Sequence, residues 1–202
     1  SAKLDMLDDP VRMYLRQMGQ VPLLTREQEI QISKRIEKAE NHLLECLQSV
    51  GFVGLSVLQL AEGLATGIER FDRLVIDRKF DERESYFKKL PVLITQARDA
   101  FNKAEGAAML FASSSKSKKE SRQKEFDLGR AAFFKICGKF FFKQKINEDF
   151  VALLQAKQAE LYELQRQISA NKNNEVAQES LRQFEQGAWQ CAESFHQTVT
   201  HA

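Results

Sequence analysis

Between Asp9 and Glu37 the chain spells two helix starts and one helix stop, so little except two helices around a short apolar elbow can form there. Asp9 can accept hydrogen bonds from the unpaired amides of a first helical turn, and Pro10 supplies a preset φ where no amide is needed. Val11, Tyr14 and Met18 then recur at helical spacing and are predicted to point inward. Arg12, Leu15, Arg16 and Gly19 line the adjacent face, which sets two arginines beside an apolar side chain. Gly19 is placed to end this helix, and Val21-Pro22 imposes an extended link. Thr25 followed by Gln28 has the form of a capping box, so a second helix starts near Arg26. Its apolar positions Ile32, Ile36, Ala39, Leu43, Leu47 and Val50 keep the period to Gly51, the predicted stop, about seven turns on.

Composition extends that helical bias to the rest. Of 202 residues 43% are apolar, enough to bury a substantial core, and only nine are glycine and three proline. The fold class predicted is all-α: an N-terminal helical hairpin over residues 1–50, then a multi-helix bundle over 51–202. Charged residues balance to +2, so electrostatic recognition has to come from local patches. Cys46, Cys137 and Cys191 are isolated singles, which suggests neither a disulfide framework nor a zinc site and fits a reducing cytoplasm. No apolar run approaches the roughly 18 residues needed to span a bilayer, so no membrane partner is expected. Both ends read as those of an excised fragment.

Along the bundle, residues 52–64 form an apolar stretch whose Gly54 and Gly63 suit close packing against a neighbour. Thr66-Gly67 punctuates it, and a helix over 68–76 is predicted to turn Phe71, Leu74 and Val75 inward. After a turn at 77–81, a helix from Glu82 carries Tyr86, Phe87 and Leu90, and Pro91 is predicted to break it. The successor, 92–111, keeps Ile94, Ala97, Phe101, Ala104 and Ala108 in register. The segment SSSKSKK, 113–119, is of low complexity and reads as an exposed loop. Residues 126–145 read as one basic helix with aromatic bulk, in which Phe133, Phe134, Phe140, Phe141 and Phe142 are interleaved with Arg130, Lys135, Lys139, Lys143 and Lys145. A helix capped near Asn147 follows, carrying Phe150, Leu153, Leu154, Leu161, Leu164 and Ile168. After a turn at 171–174, a last helix over 175–199 presents Val176, Leu181, Phe184, Trp189 and Phe195, making an antiparallel hairpin with its predecessor.

Catalytic chemistry is not signalled. His42, His196 and His201 lie in no metalloprotease-like spacing, and His42 with Cys46 at i, i+4 supplies two ligands where a zinc site needs more. No phosphate-cradling glycine string or nucleophile elbow occurs. The acidic pairs Asp8-Asp9 and Glu82/Glu84 sit at helix starts, where they complement the dipole. The sequence is therefore read as that of a non-enzyme without metal or cofactor.

The string DPVRMYLRQMG-x-VPLLTRE-x-EI-x-I-x-KRIE resembles region 1.2 of bacterial primary sigma factors, the promoter-specificity subunits of RNA polymerase. The match runs ungapped through both helices. The resemblance implies that the remainder corresponds to the variable non-conserved region preceding region 2. It also implies a role in transcription initiation, with the RNA polymerase core (its β and β′ subunits) and promoter DNA as partners. Carried onto this chain, the family's contact with the single-stranded non-template discriminator falls on the first helix. Arg12 and Arg16 would meet phosphates or a base edge, Leu15 would pack on an unstacked base, and Tyr14 would buttress or stack. Some relatives carry Met at the Leu15 position, which preserves an apolar contact and leaves base preference open.

The chemistry suits the residue types, since an unpaired base offers a π-face and its phosphate needs a cation. Neutralising about three phosphates gives a salt slope near −2, and one stacking contact adds roughly 1–3 kcal/mol, so the hairpin alone is a weak binder. The resemblance further implies that the bundle docks transcription regulators and the polymerase. Lys116, Lys118 and Lys119 in the loop, and Lys135, Lys139 and Lys143 on the basic stretch, are the candidate contacts. Lysines whose stems merely cover the rim of a Phe-rich core would look the same. The rival reading of the whole chain is a free-standing helical interaction or scaffold domain with no role on DNA.

Overall fold

The computed structural model describes residues 11, 13–15, 19, 23–79, 81–114, 118–171 and 174–202. It is all-α. In order, the helices are α1 (Arg26–Gln48), α2 (Gly51–Thr66), α3 (Phe71–Leu74), α4 (Arg83–Ala112), α5 (Lys119–Cys137), α6 (Ile146–Ala170), α7 (Glu175–Ala188) and α8 (Ala192–His201), with 3₁₀ turns at Asp77–Lys79 and Gly138–Phe140. The chain divides into two compact units, Ser1–Asn41 and His42–Ala202, the boundary falling within α1.

In the first unit the predicted capping box is present. Thr25 N–H donates to Gln28 Oε1 at 2.9 Å, and Gln28 N–H donates to Thr25 Oγ1 at 3.3 Å. Upstream, Val11 and Met13–Leu15 are helical, and the Gly19 amide donates to the Leu15 carbonyl at 2.9 Å, which closes the turn where a stop was expected. Val11 and Tyr14, predicted inward, are 61% and 59% exposed. Helical spacing identifies a shared face, but burial needs a second surface, and this unit offers none among its described residues. Asp9, Pro10, Met18 and the Val21-Pro22 link lie outside the described residues.

The second unit has a core. α2 carries the densest run of buried residues, including Val53, Val57, Leu58, Ala61 and Leu64. Gly51 opens this helix instead of stopping the previous one, because α1 already ends at Gln48 and Val50 is extended. A Cβ at Gly51 would collide with the Gly187 carbonyl and the Trp189 ring, and one at Gly54 would meet Phe133 at 2.8 Å, so the glycines do permit close approach. Gly67, at φ 78°, caps α2. Trp189 anchors the aromatic centre, with Phe101 at 5.1 Å and Phe126 at 6.0 Å between ring centroids.

Three predicted elements are corrected. α4 runs unbroken from Arg83 to Ala112 through Pro91. Proline costs about 3 kcal/mol inside a helix, but burial of Leu90 on one side and Ala97, Phe101, Ala104 and Ala108 on the other outweighs it. The 126–145 stretch is not one helix. α5 ends at Cys137, and after the 3₁₀ turn Phe141 adopts φ 53° while Phe142 bridges Val75. Phe140 and Phe142 stack at 5.5 Å, and Tyr86 Oη donates to the Phe140 carbonyl at 2.9 Å, contacts that a straight helix could not make.

The last predicted helix is likewise two. Trp189 at φ 60° turns the chain between α7 and α8, which lets Phe184 and Phe195 both pack against Phe52, at 5.1 and 6.2 Å. Gln190 Nε2 donates to Ser49 O at 3.0 Å and Oγ at 2.9 Å, and Glu185 Oε1 accepts from the Ala192 amide, holding the break in place. Val176, predicted to face the core, is 77% exposed. The 68–76 helix shrinks to α3, with Phe71, Leu74 and Val75 buried as expected. α6 starts at Ile146, one residue ahead of the predicted cap, and Asn174 Oδ1 caps α7 by accepting from the Ala177 amide at 3.1 Å.

Candidate nucleic-acid interface

Four residues, Arg12, Tyr14, Leu15 and Arg16, are the candidate DNA contacts. Tyr14 and Leu15 are adjacent in the helical turn that Gly19 closes, and both side chains are open to solvent, Leu15 at 61%. Arg12 and Arg16 lie outside the described residues. An exposed tyrosine and an exposed leucine offer a flat and an aliphatic surface, the two kinds against which an unstacked base can rest.

The five described lysines among the six candidate partner contacts do not form one patch. Lys116 lies outside the described residues, as do Ser115 and Ser117. Lys118 and Lys119 are exposed at the start of α5, where Lys119 Nζ sits 5.7 Å from the Phe111 centroid. Lys135 is exposed near the other end of α5, about 24 Å along the axis from Lys119 at 1.5 Å per residue. Lys139 is exposed in the following 3₁₀ turn. Lys143 is half-buried and committed, its Nζ 2.7 Å from Asp77 Oδ1 and its amide donating to the Leu74 carbonyl at 2.8 Å. The break at Phe141 scatters lysines that a continuous helix would have aligned.

The structure groups Lys139 with residues that sequence reading did not connect to it. Lys88, Lys89, Val92 and Leu93 of α4 line a groove with Lys139 and Phe141. Lys79 Nζ lies 4.8 Å from the Phe141 centroid and 2.8 Å from Glu82 Oε2. That hydrogen bond, then the charges of Lys79 and more weakly Lys89, hold the Glu82 carboxyl below its usual range. Spacing within α4 marks Lys88 and Val92 as neighbours, but no local signal could bring in a turn some fifty positions away.

His42 Nε2 and Cys46 Sγ are 3.9 Å apart, and burial, then the Glu45 charge, push the thiol's pKa up. Among the described residues no group of three His, Cys, Asp or Glu side chains could hold a metal ion. No single helix among them is long and apolar enough to cross a membrane.

The family model for sigma-70 factor, region 1.2, matches residues 9–41, the same span that carries the two helix starts and the exposed Tyr14 and Leu15. Over those residues the chain is similar to the sigma-70 family. It is similar to RNA polymerase sigma factor RpoD of Neisseria gonorrhoeae, 43% identical over 67 residues that make up 33% of this chain and 10% of that protein. It is also similar to RNA polymerase sigma factor RpoD of Helicobacter pylori, 36% identical over 75 residues, 37% of this chain and 11% of that one. The match thus spans about a tenth of the length of these relatives.

Proposed function

We propose that the chain is a segment of a primary sigma factor that works in transcription initiation within RNA polymerase holoenzyme, in the cytoplasm. Its first helix touches the non-template discriminator strand of the melted promoter through Arg12, Tyr14, Leu15 and Arg16. The observation that carries this reading is the region 1.2 match over residues 9–41. Exposure of both Tyr14 and Leu15 supports it, since aromatic and aliphatic surfaces suit a splayed base and flanking guanidinium groups suit its phosphates. Residues 42–202 serve as a docking body for the polymerase β and β′ subunits and for transcription regulators, with no catalytic step of their own.

The deciding measurement uses the full-length parent reconstituted with core polymerase. Arg16→Ala or Leu15→Ala should shorten the lifetime of open promoter complexes about tenfold, equivalent to about 1.4 kcal/mol. Discriminator substitutions should affect those variants less than the parent. Unchanged lifetimes and unchanged discriminator preference in both variants would overturn the DNA assignment. A purified regulator that binds the parent should keep its affinity when Arg12 and Arg16 are replaced, which separates the docking role from the DNA role.

A further inference from the structure

Among the described residues two aromatic side chains sit on left-handed backbone, Phe141 at φ 53° and Trp189 at φ 60°. This conformation is costly for any residue with a bulky Cβ substituent. At Trp189 the return is plain, because the indole is buried at the centre of the core. Phe141 has no comparable return, since its ring remains 40% exposed. Its neighbours hold it there. Phe140 is fully buried with its carbonyl engaged by Tyr86, Phe142 stacks on Phe140, and the Ile76 amide donates to the Phe141 carbonyl at 2.9 Å. With both flanking rings turned in, the middle ring is turned out.

It is turned into a groove of about 460 Å³, a size typical of sites that take a ligand or a few side chains. The floor is apolar, made by Phe141, Leu93 and Val92, the last 59% exposed. Lys88, Lys89 and Lys139 stand on the rim and form no ion pair among the described residues, while Lys79 adds a further cation against the Phe141 ring. Among the described residues no carboxylate lines the groove. Glu82, whose carboxylate feels the Lys89 charge weakly, is already bonded to Lys79. An apolar floor rimmed by unpaired cations complements a segment with the opposite pattern.

We propose that this groove docks an acidic amphipathic segment of a partner protein, with one or two apolar side chains inserted beside Phe141 and flanking carboxylates on Lys88, Lys89 and Lys139. The proposal rests on the docking role given above to residues 42–202 and names its site and the chemistry of its partner. A peptide fits better than a nucleic acid. Val92 and Leu93 are aliphatic, and Phe141, the one ring among the described residues of the groove, already carries Lys79, so bases would find little platform for stacking.

The test is fluorescence anisotropy with the full chain and a short fluorescein-labelled peptide alternating Asp or Glu with Leu and Phe. Binding should be saturable and should weaken about tenfold or more in the triple variant Lys88→Glu, Lys89→Glu, Lys139→Glu. Phe141→Asn, which left-handed backbone accommodates, should weaken it comparably while the thermal midpoint stays near that of the parent. Lys103→Glu, on the exposed surface of the same helix, should leave it unchanged. Equal weakening by Lys103→Glu would mean general charge attraction and overturn the proposal. So would tighter binding of oligo-dT than of the peptide, abolished by the same three lysine changes, or self-association of the chain lost in the same variants. Regulators that still bind the triple variant with parental affinity would sink this site while leaving docking elsewhere on the bundle intact.

Discussion

Residues 11–41 and 42–202 are built on opposite terms. Every described side chain in the first stretch is exposed, including Leu24, Ile30 and Ile36 at 51%, 48% and 53%, whereas the second closes a core around Trp189, Phe133 and α2. The coreless part carries the dense, family-specific pattern, and the part with the core carries little that identifies it. A helix that uses most of its positions for recognition keeps few for burial, so its apolar face depends on surfaces supplied by others. A bundle that spends its apolar residues on itself is free to vary wherever packing is preserved.

The most severe way to break this contrast is to truncate one apolar residue in each part. Phe133 is fully buried, with Phe134 at 4.8 Å and Phe101 at 5.4 Å. Phe133→Ala should cost about 3–5 kcal/mol in urea denaturation. Ile36→Ala should change the same transition by less than about 0.5 kcal/mol. A comparable loss from Ile36→Ala would show that the first stretch has a core of its own.

Next in size is alkaline loss of stability, which belongs to the bundle. Burial pushes the Cys137 thiol and the Tyr86 phenol each up to about 12, from ordinary values of 9.0 and 10.0. Both are neutral when protonated, so the unfolded chain releases these protons first as pH rises. Stability from this source is complete below pH 9 and declines toward pH 12, by up to about 1.4 kcal/mol per pH unit for each group. Cys137→Ala should remove the part of the decline that begins near 9, and Tyr86→Phe the part that begins near 10, both read as thermal midpoint against pH. At neutral pH, Tyr86→Phe should cost about 1 kcal/mol for the lost bond to the Phe140 carbonyl.

What could be read from the chain follows the same division. The capping box at Thr25 and Gln28 and the Gly67 cap are local chemistry, and both stand where residue type put them. The exposure of Tyr14 and Leu15 was half legible. The arginine-flanked leucine was expected outside, but Tyr14 was assigned to an interior that this unit does not form. In the bundle the inward residues of α4 were read correctly and its continuity was not, because Pro91 is a local signal overruled by distant packing. The breaks at Phe141 and Trp189 gave no local sign. Neither is a glycine or an asparagine, and each exists because separate parts of the core need rings aimed in two directions. The placement of Lys139 and Lys143 could not be read for the same reason, since alignment along a helix that ends at Cys137 says nothing about positions beyond it.

The gentlest test concerns the seam between the two parts, because α1 starts in one and finishes in the other. Its first turn is secured by the reciprocal Thr25–Gln28 bonds, and its last by burial of Leu47. Removing the cap with Thr25→Ala should cost about 1 kcal/mol of local helix stability. With every side chain of residues 26–41 exposed, that loss should appear as faster hydrogen exchange of the first-turn amides, which open without unfolding the bundle. The urea midpoint of the bundle should stay in place. If that midpoint moves by the full cost of the cap, α1 unfolds as one cooperative rod with the core, and the exposed stretch draws its order from the bundle instead of waiting for a partner.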